Sequence, residues 1–132
     1  MRFVLAWVVS GLALALVIRL AVGGAPDAPV VDPAVASRGA QVSSKCVACH
    51  AFDSRDNHVG PHLVGILGRQ AGGLAAFAYS DAMRQSGVVW DKDSLKQFVM
   101  GPQQFIPGTN MGVSPLTEPE ADELVSYLES MQ

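Results

Sequence analysis

The chain has 132 residues, 49% of them apolar, with nine Lys/Arg against twelve Asp/Glu. That length suits one domain, the apolar content excludes a disordered chain, and the acidic balance excludes nucleic acid as a partner. Much of the apolar content sits at the N-terminus, where Met1-Arg2 is followed by an apolar run from Phe3 to Ile18 broken only by Ser10 and Gly11. Arg19 and a small-residue stretch to Ala25 come next. A basic start, an apolar middle and a small-residue end predict a secretory signal cleaved near Ala21-Val22-Gly23. The competing expectation is an uncleaved anchor through residues 3–22, with Arg19 snorkelling to the outer interface. Either one exports the rest of the chain. Residues 1–25 are therefore read as signal peptide or membrane anchor, the proline-rich residues 26–33 as a linker, and residues 34–132 as the folded domain.

The domain opens with a helix start: Asp32 can cap and Pro33 can take the first helical position. Val35, Gly39, Val42 and Cys46 then recur on one face. Gly39 on that face predicts a close crossing with another helix, although a tolerated weak spot would read the same way. The helix leads into Cys46-Val47-Ala48-Cys49-His50, the Cys-x-x-Cys-His pattern of covalent c-type haem attachment. Two intervening residues let one turn of backbone present both sulfurs to one edge of a porphyrin, and the next residue brings an imidazole to the iron. A redox-active disulfide would need a thioredoxin-like strand context, which the surrounding sequence lacks. Zinc would need His58 and His62 as further ligands, and their spacing on one loop suits a metal poorly.

Residues 51–78 show little period and much glycine, too long a loop for a compact domain unless it wraps a buried disc. Val59, Leu63, Ile66 and Leu67 are expected on the face of that disc. A short helix starts at Ser80 or Asp81 and ends at Gly87, and a second runs from about Asp91 to Met100 with Leu95, Phe98 and Val99 inward. Gly101-Pro102 stops it. The last helix has a Thr117-x-x-Glu120 capping box and an apolar stripe of Ala121, Leu124, Val125, Leu128 and Met131. A second iron ligand can come from several residues. Met83, Met100 and Met131 lie at helical spacings that suit core, and His58 and His62 are expected as exposed loop histidines. Met111 differs because it ends the irregular segment Ile106-Pro107-Gly108-Thr109-Asn110-Met111.

Five blocks in this order, Cys46–His50, Val59-Gly-Pro-His-Leu63 through Gly65-Ile-Leu-Gly-Arg69, Phe77-Ala-Tyr-Ser-Asp-Ala82, Gly87-Val-Val-Trp90 and Ile106–Met111, make the chain from about residue 34 resemble class I monohaem cytochrome c, in its mitochondrial and alpha-proteobacterial branch. The resemblance implies an all-α cytochrome c fold, three to five helices and long loops wrapped around one covalently bound haem c. It implies Cys46 and Cys49 as attachment points, His50 and Met111 as axial iron ligands, and the Pro61 carbonyl as acceptor for the His50 ring. It further implies Tyr79 and Trp90 as donors to a propionate, Arg69 as nearby positive charge, and Thr109 as part of the haem surround. The implied function is one-electron transfer between respiratory or photosynthetic partners, such as a quinol-cytochrome c reductase and a terminal oxidase or reaction centre. No small-molecule substrate and no enzymatic activity are expected. The implied location is the periplasm, soluble after cleavage or otherwise anchored to the inner membrane.

The alternatives are a haem sensor or peroxidase with a labile distal ligand, and a dedicated cytochrome subunit of a membrane oxidoreductase complex. Two pocket positions depart from the branch's pattern. Phe98 stands where the branch has a tyrosine that reaches the methionine sulfur, and Met83 where it usually has an asparagine. Both make the pocket more apolar. The surface departs too, since Gln70, Gln103, Gln104 and Asn110 replace lysines that ring the haem edge. From residue 34 onward seven Lys/Arg face ten Asp/Glu. Encounter with a partner is therefore expected to depend little on salt.

Overall fold

The computed structural model describes residues 32–132, so the expected signal or anchor at 1–25 and most of the linker lie outside the described residues. Helix α1 spans Pro33–Ser43, α2 Asp81–Gln85, α3 Lys92–Met100, α4 Pro102–Phe105 and α5 Glu118–Ser130. Apart from two isolated bridges, His50 with Asn57 and Gln70 with Val89, the described residues have no sheet pairing. The all-α expectation holds, and among the described residues no helix is long and apolar enough to cross a membrane.

The helix starts follow local side-chain chemistry. The Asp32 carboxylate accepts from the Ala34 N–H at 2.8 Å, with Pro33 at the first position. Asp91 accepts from the Ser94 N–H at 2.7 Å, and the Ser94 hydroxyl accepts in turn from the Asp91 N–H at 2.8 Å. At α5 the Glu120 carboxylate reaches back to the Thr117 N–H at 2.9 Å. Each bond satisfies a donor that the first helical turn leaves free. Gly101-Pro102 stops α3 after Met100, as the sequence suggested, and Pro102 also opens the next helix, α4, where a proline at the first position gives up no intrahelical bond.

Helix α5 is the centre of the packing. α1 and α3 both lie against it, and α4 packs on α3. Its inward residues Ala121, Leu124, Val125 and Leu128 are buried, and Leu124 is 2% exposed. The crossing with α1 is close enough to require Gly39. A Cβ there would come within 2.3 Å of the Glu123 carbonyl oxygen and 2.5 Å of the Tyr127 Cβ. This crossing fixes where α1 ends, and so where the cysteines begin.

Between the helices, residues 51–80 form one long irregular segment. Ile66 is buried, and Leu63 and Leu67 are half-buried against the core as expected. Val59 contradicts the expectation, being 78% exposed. Its neighbour Gly60 is the residue held inward, with its N–H donating to the Cys49 carbonyl at 2.8 Å.

Candidate functional site

After Ser43 the chain continues in turns. The Cys46 N–H donates to the Ser43 carbonyl at 2.8 Å, and the Cys49 and His50 N–H groups both donate to the Cys46 carbonyl, at 3.0 and 2.9 Å. The backbone thus coils tightly from the first cysteine to the histidine, the compactness expected of the motif. Both thiols are free, Cys46 buried and Cys49 half-buried. Burial pushes the Cys46 thiol pKa up, the neighbouring Cys49 adds to the rise, and Lys45 opposes it.

His50 is held from two sides. Its Nδ1 lies 2.6 Å from the Pro61 carbonyl oxygen, the contact the resemblance implied. A carbonyl can only accept, so Nδ1 carries the proton and Nε2 is left with its lone pair. Burial holds the imidazole below its ordinary pKa, with the Pro61 bond opposing that shift and Arg69 and His58 adding to it. Gly60 leaves the room the ring occupies, since a Cβ there would come within 2.3 Å of the ring's Cε1. A neutral imidazole with one fixed nitrogen and one free nitrogen suits an iron ligand.

Arg69, Tyr79 and Trp90 are brought together. The Trp90 backbone N–H donates to the Arg69 carbonyl at 2.9 Å, and the Gly68 backbone N–H donates to the Trp90 carbonyl at 2.7 Å. Burial raises the Tyr79 pKa and the Arg69 guanidinium opposes the rise, so the two side chains are in electrostatic reach. Trp90 is 6% exposed, and its ring centroid lies 5.1 Å from that of Phe98. Arg69 spends one nitrogen, Nη2, on the His62 carbonyl at 2.9 Å, while its Nε and Nη1 are buried without a partner. Buried unpaired guanidinium donors are costly, and a carboxylate such as a haem propionate is the acceptor that would satisfy them.

His62 corrects the sequence reading. It is 7% exposed, with an unpartnered Nδ1, whereas His58 is exposed as expected. Its burial follows from its neighbours: its N–H donates to Asn57 Oδ1 at 3.1 Å and its carbonyl holds Arg69, so the backbone turns the ring inward. Burial, Arg69 and Arg55 lower its pKa, in that order of effect, and the Val64 backbone and then Asp56 oppose them.

The Met111 segment is a pinned turn. Gly108 takes φ +90°, a conformation that disfavours side chains, and a Cβ there would come within 3.2 Å of the Ala82 Cβ on α2. Thr109 is buried, and its hydroxyl accepts from the Met111 N–H at 3.3 Å. Gln103 of α4 donates to the Thr109 carbonyl at 2.6 Å and accepts from the Gly108 N–H at 3.2 Å. Met111 itself is half-buried against the core.

Sequence reasoning missed three supports: Gly60 beneath the imidazole, Gln103 across the Met111 turn, and Asn57. The Asn57 amide donates to the Ala76 carbonyl at 3.3 Å while its oxygen receives the His62 N–H, tying two parts of the long loop together. An amide between His50 and Pro61 was visible in the sequence as a loop residue, but nothing there named its partners.

Comparison with known proteins gives one consistent result. A family model described as "Cytochrome c" matches residues 36–132. A protein named cytochrome c2 from Rhodoblastus acidophilus is 41% identical over 92 residues, covering 68% of this chain and 86% of that one. A protein named cytochrome c from Cochliobolus lunatus is 35% identical over 97 residues, covering 71% of this chain and 90% of that one. Among solved structures, cytochrome cH from Methylobacterium extorquens superposes with a TM-score of 0.67 at 38% identity, covering 72% of this chain and 97% of that one.

Proposed function

Because the chain belongs to the cytochrome c family and so carries one covalently bound haem c for electron transfer rather than catalysis, we propose that it is an exported one-electron carrier whose haem is attached at Cys46 and Cys49 and ligated by His50 and Met111. The single observation that carries this reading is the 2.6 Å contact between His50 Nδ1 and the Pro61 carbonyl, which leaves Nε2 free for iron. The haem, when bound, supplies an iron that changes charge by one electron. The protein's own groups hold that centre still. Pro61 and Gly60 orient the imidazole, Gln103 and Thr109 hold the Met111 turn, and Arg69 with Tyr79 and Trp90 offers donors and positive charge to a propionate. A turn pinned in this way supports a filled distal position over a sensor or peroxidase with an open one. The partners are respiratory or photosynthetic redox proteins, such as a quinol-cytochrome c reductase and a terminal oxidase or reaction centre, met in the periplasm.

Intact mass of the exported protein tests attachment: haem should add to the chain through two thioether bonds and be lost from a Cys46→Ala, Cys49→Ala double variant. The ferric protein should show the red absorption band of sulfur-to-iron charge transfer, and Met111→Ala should abolish it. A wild-type protein without that band would remove Met111 as ligand and return the open-site reading. The same mass would show whether residues 1–25 are cleaved.

A further inference from the structure

Among the described residues, the buried side-chain nitrogens that lack a partner belong to two residues, Nδ1 of His62 and Nε and Nη1 of Arg69. The two are tied together. Arg69 Nη2 donates to the His62 carbonyl at 2.9 Å, and the His62 N–H donates to Asn57 Oδ1 at 3.1 Å, so a fixed stretch of backbone holds both. A propionate accounts for the arginine donors but not for the His62 ring, which is covered and has a nitrogen to spare. A carboxylate has about four lone-pair sites, so one that takes two bonds from Arg69 has room for a third donor. Imidazolium is the form of histidine in which both ring nitrogens donate. The charges acting on the ring come from its own long loop: Arg69 and Arg55 oppose a proton on it, and Asp56 favours one. Tyr79 lies beyond Arg69, and His58 is exposed four positions earlier. Burial and the two arginines hold the ring below its ordinary pKa, so an anion entering the cluster would offset the arginines and favour the charged form. Arg55 and Asp56 are exposed, which places the ring close under the surface and within reach of protons from water.

Taking the carrier reading as its premise, we propose that His62 is a proton site coupled to the electron, binding one proton from water when the iron is reduced and returning it when the iron is oxidised. The step balances: one electron from the donor protein and one proton from solvent enter together, and both leave on oxidation, so the net charge of the domain is the same in the two states. Reduction removes one unit of positive charge from the interior, and a covered imidazolium responds to that loss more than a solvated group does. The other members of the cluster cannot answer it. A guanidinium keeps its proton, burial raises the Tyr79 pKa and keeps the phenol neutral, and His58 stands in solvent. His62 is the covered group whose charge can change near neutrality. Because the proton arrives with the electron, the reduction potential falls as pH rises, between the ferric and the ferrous pKa of this ring.

The test is the midpoint potential of the purified holoprotein from about pH 4.5 to 8.5, a range that brackets the ordinary imidazole value. Wild type should show a high plateau in acid, a low plateau in base and a fall between them. A proton affinity about three- to tenfold higher in the ferrous state makes that fall about 30–60 mV, at about 59 mV per factor of ten. His62→Asn should hold a flat potential across the range while keeping the haem spectrum, and His58→Asn should keep the wild-type profile. Two readings need no substitution. Reducing wild type in weakly buffered solution within the fall should take up protons, and histidine NMR should find His62 titrating higher in the ferrous protein than in the ferric one. A flat wild-type profile, or equal titration in the two states, would overturn the inference and leave the carrier reading standing. A fall that survives His62→Asn would overturn it as well and assign the proton to a propionate, and a fall removed by His58→Asn would assign it to the exposed ring instead. A haem without a reversible one-electron couple at any pH would overturn the carrier reading and this inference with it.

Discussion

Phe98 shows how one residue can set the electronic surroundings of the centre. It is 4% exposed and packs against Trp90 and Phe105, with centroid separations of 5.1 and 6.3 Å. No hydroxyl is present there to reach a methionine sulfur, in contrast with the mitochondrial branch that the sequence resembles. On the proposed Met111 ligation, Phe98→Tyr should raise the midpoint potential, because a donor to the sulfur withdraws electron density that stabilises ferric iron. The shift should be on the order of the 0.5–1.5 kcal/mol of one hydrogen bond, which is tens of millivolts for one electron. Spectropotentiometry of the two proteins checks this, and equal potentials would refute it. Gln103 acts on the same ligand from outside. Gln103→Leu removes both bonds to the Met111 turn, so imidazole added to the ferric protein should displace Met111 more readily, with affinity up roughly tenfold.

At the level of elements, the α1–α5 crossing decides whether the attachment motif is presented at all. Gly39→Ala would push a methyl group into the Glu123 carbonyl, and neither helix can retreat without unpacking. A loss of about 1–3 kcal/mol or more is expected in denaturant unfolding of the holoprotein. Two ion pairs flank this crossing, Arg38 with Glu123 at 2.7 Å and Lys45 with Glu120 at 2.5 Å. The Lys45 ammonium, helped by the Thr117 N–H and hydroxyl, pulls the Glu120 pKa from 4.5 to about 2. A carboxylate with a depressed folded pKa contributes stability that is present above pH 4.5 and lost as pH falls toward 2. Glu120→Gln should therefore flatten the acid limb of the stability profile in that window and leave its slope near neutrality unchanged, as thermal melts across pH would show.

For the whole molecule, the division of charge matters more than its net value. Acids and lysines pair along α5, while the Met111 side is uncharged from residue 97 to residue 117. A domain whose lysines are all paired with acids of α5 presents no lysine-ringed face to steer an acidic partner, so complex lifetime rather than charge-driven encounter should govern its affinity.

Much of this was legible along the chain because it is local. The cap at Asp32, the helix start near Asp91, the Thr117–Glu120 capping box, the cysteine pair, and the Pro-Gly turn before Met111 each depend on residues two to five positions apart, a distance at which side-chain chemistry and backbone preference act directly. The apolar stripe of α5 was legible for the same reason. The burial of His62, the exposure of Val59, and the roles of Asn57, Gly60 and Gln103 were not. Each depends on which segment lies opposite: His62 is drawn in by Asn57 and Arg69, Gly60 is required by a ring ten residues earlier, and Gln103 meets a turn whose path it helps set. By itself the sequence determined that this is a helical domain with a covalent haem attachment motif and a candidate methionine ligand. Only the tertiary structure decided how those two ends of the site are held, because contacts between distant segments follow from packing rather than from any pattern along the chain.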